Sequence, residues 1–348
     1  MKTNKFLIGF LLQATVCSSG LHAQTDLHAN AYSIIQDAVT DIVCTSPTDA
    51  IQKEKRVIQI LDGKGKGDAS FVCMCDRFSS LKKFSGEVRD ASGNVIRKIK
   101  KSELKVTEYS DELVSDDYYY FFEYTPSRYP ITITYEWEIK NSDGLIGYPS
   151  FLPQKNYNQS VAQASYRILT PADNPCRYRT INMQAEVSQK QTTDGNWLTE
   201  VKVQSLPAIQ KEPYSPALSE LLPRIYFTPR NFSFEGTKGS MDNWQTYGAW
   251  QYQLLSGRDQ IPPALKEELQ RRTANCNTPY EKIAAVYQYL ASTTRYVSIQ
   301  LGIGGLQPIA AADVHRTGFG DCKGLSNYMR AMLTELGIPS TYTVISTT

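Results

Sequence analysis

The chain has 348 residues, with 37 lysines and arginines against 35 aspartates and glutamates, and 41% of its residues are hydrophobic. This composition excludes a disordered chain, a collagen-like fibre and a multi-span membrane protein, and the length allows two domains. A formal net charge of +2 argues against a dedicated nucleic-acid-binding protein, which usually carries a strong basic excess.

The first 23 residues have the pattern of a secretory signal peptide. Two lysines precede an apolar run over residues 6–16, and small residues follow as far as Ala23. The run is about half the length that a membrane-spanning helix requires. We therefore predict cleavage after Ala23, export to the periplasm or the extracellular space, and no membrane span in the mature chain. A lipid anchor on Cys17 is the weaker alternative.

Six cysteines remain after that cleavage, and an even number in an exported chain permits up to three disulfides. Their spacing does not predict the pairing. Cys73 and Cys75 share one face of a predicted strand, and no second Cys/His pair lies nearby to complete a four-ligand metal site. We interpret this pair as core thiols or disulfide partners. The other four cysteines are Cys44, Cys176, Cys276 and Cys322.

Residues 51–235 are predicted to form a β domain after a short N-terminal segment, residues 24–50. Runs of β-branched and aromatic residues alternate with Gly, Asp and Asn turn signals. A turn at residues 194–196 predicts a hairpin that joins residues 181–187 to residues 197–203. Many short strands at this spacing are typical of an antiparallel β-sandwich. The clearest predicted strands are residues 56–61, 70–75, 94–99, 118–124 and 131–139.

The hydrophobic period becomes helical after a proline-rich stretch. Residues 236–264 are predicted to be a helical connector, and we assign Trp244 and Trp250 to the core because they lie on one apolar stripe. A polar helix is predicted over residues 264–274. The next helix is predicted to start at Thr278, whose side chain caps it in a capping box with Glu281.

The candidate chemistry lies between residues 295 and 346. A glycine-rich run at residues 301–308 lacks the Lys and Ser/Thr of a phosphate-binding loop, so we interpret it as a packed loop. Further on, Cys322 follows two glycines and begins an amphipathic helix. Unpaired N–H groups and the positive helix end favour a thiolate and can hold an oxyanion. A buried or disulfide-bonded cysteine is the alternative. A buried strand is predicted at residues 342–345.

Three segments resemble the core of the bacterial transglutaminase-like superfamily, over about residues 265–348. The segments are Arg295-Tyr296-Val297-Ser298-Ile299, Gly304-Gly305-Leu306-Gln307-Pro308 and Gly320-Asp321-Cys322-Lys323. The preceding region, about residues 50–230, resembles domain of unknown function 3857, which commonly precedes that core in exported Bacteroidetes proteins. The resemblance implies a multidomain chain, in which an antiparallel β-sandwich is followed by a partial α+β, papain-like domain.

The resemblance also implies the site residues. Cys322 matches the nucleophile position, and Gln307 is a weak candidate to hold the oxyanion, with a structural role in the loop as its alternative. No metal or organic cofactor is implied. The family's His and Asp follow its Cys by several tens of residues, whereas the 26 residues after Cys322 contain neither. We interpret His315 as a helix-end or loop residue.

Two explanations remain for this departure, and they lead to two functions. If the sequence stops inside the core, as its end on a predicted strand favours, the complete protein performs thiol-dependent acyl transfer or amide hydrolysis on protein or peptide substrates. If the chain is a degenerate member, it is a non-catalytic cell-envelope binding or scaffold protein with a peptide or glycan partner. The aromatic run at residues 118–122 would then be a candidate ligand platform, although strand core is the preferred interpretation. Neither function involves nucleic acid, and the oligomeric state is left open.

Overall fold

The computed structural model describes residues 26–108, 114–183 and 185–345. The predicted signal peptide lies outside these residues. None of the described helices combines the length and the apolar character needed to cross a bilayer. The strands are β1 (Ser33–Ser46), β2 (Asp49–Ile60), β3 (Phe71–Cys75), β4 (Ser79–Arg89), β5 (Val95–Lys100), β6 (Lys105–Glu108), β7 (Val114–Ser115), β8 (Tyr118–Phe122), β9 (Ile131–Ser142), β10 (Tyr148–Phe151), β11 (Gln159–Thr170), β12 (Cys176–Ile181), β13 (Val187–Gln191), β14 (Trp197–Leu206), β15 (Arg224–Pro229), β16 (Asn231–Phe234), β17 (Thr237–Ser240), β18 (Arg295–Tyr296), β19 (Ile299–Gln300) and β20 (Phe319–Gly320). The helices are α1 (Leu218–Leu221), α2 (Trp244–Leu255), α3 (Pro263–Thr273), α4 (Pro279–Thr293), α5 (Ala311–Thr317) and α6 (Cys322–Glu335).

An eight-stranded sheet forms the base of the N-terminal domain, with the strand order β13-β14-β11-β1-β2-β9-β4-β5. The predicted class, a β domain followed by a smaller α+β region, is confirmed. One strand pair differs from the antiparallel expectation, because β1 pairs in parallel with β11. Strand β1 also lies ahead of residue 51, where the β domain was predicted to begin. Hydrophobic periodicity shows which residues of a strand share a face. It does not show which strand, distant in the sequence, will pair with it.

Two three-stranded sheets, β10-β15-β12 and β3-β8-β6, cover one face of the large sheet. Side chains alternate between the two faces of a strand, so Ala50, Ile58 and Ile60 of β2 point the same way. Ala50 packs in the cluster under the first small sheet, and the two isoleucines pack in the cluster under the second. The two small sheets therefore lie side by side. In the first cluster, the rings of Tyr166 and Phe227 stack 4.3 Å apart.

Most predicted strands are present, and the exceptions are instructive. The predicted hairpin turns at residues 194–196, but its first strand is β13 rather than residues 181–187. Residues 176–181 belong to β12 in a different sheet, so the two ends of the predicted strand, Ile181 and Val187, lie in different sheets. The run at residues 118–122 is the central strand of β3-β8-β6, and three of its rings pack against the core, which supports the strand-core interpretation.

The C-terminal region packs α3, α4, α5 and α6 around a separate core that includes Leu265, Val286 and Met332. The predicted capping box is confirmed, since Thr278 Oγ1 accepts the Glu281 N–H at 3.2 Å and the Glu281 carboxylate accepts the Thr278 N–H at 3.1 Å. The predicted buried strand at residues 342–345 is wrong. Val344 is 59% exposed, and no described strand pairs with this segment.

A fourth cluster joins the two regions. Phe232, Trp250 and Leu254 are buried there, and side chains from both regions pack against them, including Phe78 of the β domain and Ile303 of the glycine-rich loop. Trp250 lies in the core as predicted. The same prediction is wrong for Trp244, which is 84% exposed because it occupies the first position of α2, beyond the reach of this cluster.

Candidate active site

Cys322 is the first residue of α6, and its side chain is exposed. The buried face of α6 is fixed in place. Tyr328 and Met332 are buried, and Asn327 Nδ2 donates to the Arg258 carbonyl at 2.7 Å. The short strand β20 leads into the helix and pairs in parallel with β18. The fold therefore presents the thiol at a fixed helix N-terminus.

Asp321 caps this helix. Its carboxylate accepts the Gly324 N–H at 2.8 Å and also pairs with the Lys323 ammonium. The Asp321 side chain is only 1% exposed and that of Lys323 only 13% exposed, so the ion pair is almost excluded from solvent. Asp321 was not among the predicted site residues. The signal was present, because Asp directly before a helix is a preferred N-cap residue.

Tyr342 lies beside the nucleophile candidate. Burial raises the pKa of its phenol to about 12, and electrostatic interactions with Cys322 and Asp321 add to the effect. The phenol consequently stays protonated at neutral pH and can donate a hydrogen bond. This residue falls in the segment that was predicted to be a buried strand, so its place beside Cys322 was not foreseen.

The glycine-rich loop is held by the β domain through three charged side chains, which we call the loop clamp: Arg77, Asp116 and Glu235. Arg77 pairs with Asp116 at 3.5 Å and with Glu235 at 3.2 Å. Asp116 accepts the Gly302 N–H at 3.1 Å, and Glu235 accepts the Ile303 N–H at 3.2 Å. Strand β7 adds a parallel pairing with β19. The loop clamp therefore joins the β domain to the loop by backbone as well as side chains.

The far end of the same loop touches the nucleophile helix. A Cβ placed on Gly324 would lie 3.4 Å from Ile309 Cβ. Gln307 Nε2 donates to the Leu254 carbonyl at 3.3 Å, so this side chain ties the loop to α2, and its oxyanion role stays a prediction. His315 lies in the last turn of α5, as interpreted, with Nδ1 3.1 Å from Tyr328 Oη.

The described cysteines are all free thiols. Cys73 and Cys75 are buried on one face of β3, and the hydrogen bond between them together with burial raises the pKa of the Cys73 thiol. Cys44 and Cys176 are buried as well, and Cys276 is half-buried. Within the described residues no group of three His, Cys, Asp or Glu side chains is placed to hold a metal ion. Cys322 is thus the most accessible thiol of this set.

Two family models match the chain. Residues 50–210 match a domain of unknown function with a solved structure, number 3857, and residues 267–346 match the transglutaminase-like superfamily. The order of the two domains confirms the resemblance drawn from the sequence. A search of curated proteins finds no match.

Among solved structures, a candidate protease from Parabacteroides distasonis is similar with a TM-score of 0.64 and 14% sequence identity, and the match covers 88% of this chain and 59% of that one. At this identity the likeness shows the fold alone. An M1 zinc metallopeptidase from Deinococcus radiodurans has a TM-score of 0.27 and 9% identity, with 88% and 63% covered, and carries no argument. The chain spans about three fifths of the length of these proteins. Residues 50–210 are therefore similar to domain family 3857, and residues 267–346 are similar to the transglutaminase-like superfamily.

Proposed function

We propose that this protein is exported and performs thiol-dependent acyl transfer or amide hydrolysis on protein or peptide substrates, with Cys322 as its nucleophile. One observation carries the proposal. The Cys322 thiol is exposed at the first residue of α6, inside the segment that matches the transglutaminase-like superfamily, while four of the other five described cysteines are buried.

The geometry supports a two-step reaction. The Cys322 thiol gives up its proton as its sulfur attacks an amide carbonyl carbon, the C–N bond breaks, and the amine leaves with that proton while a thioester forms. Water or a second amine then attacks the thioester and releases the thiol. The N–H groups of Cys322 and Lys323 have no acceptor among the described residues, so they are available to the oxyanion. The protonated Tyr342 phenol is a further hydrogen-bond donor at this place.

Selective labelling of Cys322 tests the proposal. Iodoacetamide at about pH 6, where an ordinary thiol is almost wholly protonated, is expected to modify the wild-type chain once. Cys322→Ser should abolish that modification, and Cys276→Ser, the matched control, should leave it unchanged. Intact-mass spectrometry measures the rate. If Cys322 reacts no faster than an exposed model thiol, the nucleophile assignment is wrong.

The same experiment addresses the alternative, a non-catalytic binding or scaffold protein with a peptide or glycan partner. That function requires no reactive thiol, so it predicts no selective labelling. A peptide-amide donor incubated with a primary amine then separates the two reactions, because transfer yields the new amide and hydrolysis yields the free acid.

A further inference from the structure

A cleft of about 860 Å³ opens between the two regions. Its floor is formed by residues of β12 and β15, one wall is the start of α2, and the other wall is Val344 and Ile345. Three flat rings line it and remain open to solvent: Trp244 is 84% exposed, Tyr178 43% and Tyr226 41%. Exposed aromatic rings of this kind offer large contact area with little loss of conformational freedom.

The cleft carries a positive charge. Arg179 is exposed and forms no ion pair with any described residue. The Arg177 guanidinium donates to the carbonyls of Met241 and Asp242, which leaves its charge uncompensated. The carboxylate of Asp242 is already paired with Arg230, at 2.9 Å. An anionic group is therefore the ligand that complements this lining.

One wall of the cleft follows closely in the chain after Tyr342, whose phenol interacts electrostatically with Cys322. Tyr342 lies beside Cys322, and Val344 and Ile345 follow it by two and three residues to form the cleft wall. An extended chain advances at most about 3.6 Å per residue, so Val344 lies within about 7 Å of Tyr342 and Ile345 within about 11 Å. A substrate that occupied the cleft in an extended conformation could reach the thiol.

We propose that this cleft is the substrate subsite for an extended acidic peptide, with a carboxylate on Arg179 and an apolar or aromatic side chain on Trp244. The proposal rests on the proposed function, since it supplies the substrate class for Cys322. A neutral glycan would use the aromatic rings but would leave both arginines without a partner, which is why we favour the peptide.

Peptide binding to the Cys322→Ser chain tests the subsite without turnover. Fluorescein-labelled heptapeptides with one tyrosine and three glutamates are compared by anisotropy with the same peptides carrying glutamines. The acidic peptide is expected to bind at least tenfold more tightly at low salt, and its affinity should fall as salt is added. Arg179→Gln should lower the preference for the acidic peptide about tenfold. Trp244→Ala should lower the affinity for both peptides at least fivefold.

Two surface variants serve as matched controls. Arg128→Gln removes an exposed arginine elsewhere in the β domain, and Tyr280→Ala removes a ring that is 80% exposed on α4. Both should bind like the parent chain. Equal binding of the glutamine peptide, or an unchanged affinity in Arg179→Gln, would overturn the proposal, as would binding of a neutral oligosaccharide in place of the peptide.

The labelling experiment separates this failure from failure of the proposed function. Selective labelling of Cys322 without peptide binding would overturn the subsite and leave the nucleophile in place. Peptide binding without labelling would leave the acidic-peptide site standing and overturn the acyl-transfer reaction.

Discussion

Asp321 organises the start of the nucleophile helix although its own side chain is buried. Its carboxylate accepts the Gly324 N–H and pairs with Lys323, and its backbone carbonyl accepts the Leu325 N–H at 2.9 Å. A buried carboxylate is costly unless its charge and its lone pairs are satisfied. Here both conditions are met by neighbours within four residues, so the cap and the ion pair depend on the same side chain.

Removing this side chain should destabilise the protein. Asp321→Ala takes away the cap and leaves Lys323 nearly buried without its partner, and we expect a loss of about 2–3 kcal/mol in the free energy of unfolding. Asp321→Asn keeps an oxygen for the Gly324 N–H and should cost about 1 kcal/mol. Urea unfolding followed by circular dichroism measures both.

Asp313→Ala is the matched control for these variants. Asp313 pairs with Arg316 across one helical turn, but its side chain is 52% exposed, so its loss should cost only about 0.5 kcal/mol. Equal effects of Asp321→Ala and Asp313→Ala would show that the buried pair contributes nothing beyond a surface ion pair.

At the scale of elements, the loop clamp requires a glycine at residue 302. Gly302 has φ +48°, and a Cβ there would lie 2.4 Å from Glu235 Oε1 and 2.6 Å from Arg77 Nη1. Two of the three clamp side chains would have to move. Because the loop continues to Ile309 against α6, a displaced clamp should also disturb the surroundings of Cys322.

Gly302→Ala is expected to cost about 2–3 kcal/mol in unfolding free energy, from the left-handed backbone and from the displaced ion pairs. Gly304→Ala, two residues away, should change stability by less than about 0.5 kcal/mol, because its Cβ meets nothing within 4 Å and its φ is not positive. Thermal melts of the two variants make the comparison. A Gly302→Ala chain as stable as Gly304→Ala would contradict the close packing at the clamp.

The sequence correctly predicted those structural features that depend on residues close together in the chain. The capping box at Thr278, the turn at residues 194–196 and the helix N-terminus at Cys322 each involve groups a few residues apart, and each is present. The loop clamp draws its three side chains from widely separated parts of the chain, so no spacing in the sequence could reveal it. The exposure of Trp244 could not be predicted for a similar reason. Trp244 and Trp250 lie on one apolar stripe of α2, but the tertiary structure covers only part of that stripe.

For the whole molecule, Trp250 is the side chain that holds the two regions together. It is 2% exposed, its ring lies 4.8 Å from that of Phe232, and its indole N–H donates to Thr237 Oγ1 at 3.0 Å. Residues of the β domain and of the glycine-rich loop pack against the same cluster. Loss of this ring should therefore loosen the connection between regions as well as the local core.

Trp250→Ala is expected to destabilise the chain by about 3–5 kcal/mol and to expose the connector to protease. Limited trypsin digestion should cut the variant between residues 236 and 264 well before it cuts the parent. Trp244→Ala removes the same side chain from the exposed end of the same helix and should leave both stability and digestion unchanged. Identical digestion patterns for the two variants would show that Trp250 does not join the regions.

The parallel pairing of β1 with β11 also constrains the order in which the chain can fold. Ser33 pairs with Gln159, 126 residues further on, so one edge of β1 stays open until β11 has been synthesised. Contacts of such long range form slowly, and an open edge strand can pair with another chain in the meantime. During synthesis, the first strand of the large sheet consequently waits longest for its second neighbour, and the hairpin of β1 and β2 is the segment that a chaperone would have the longest opportunity to bind.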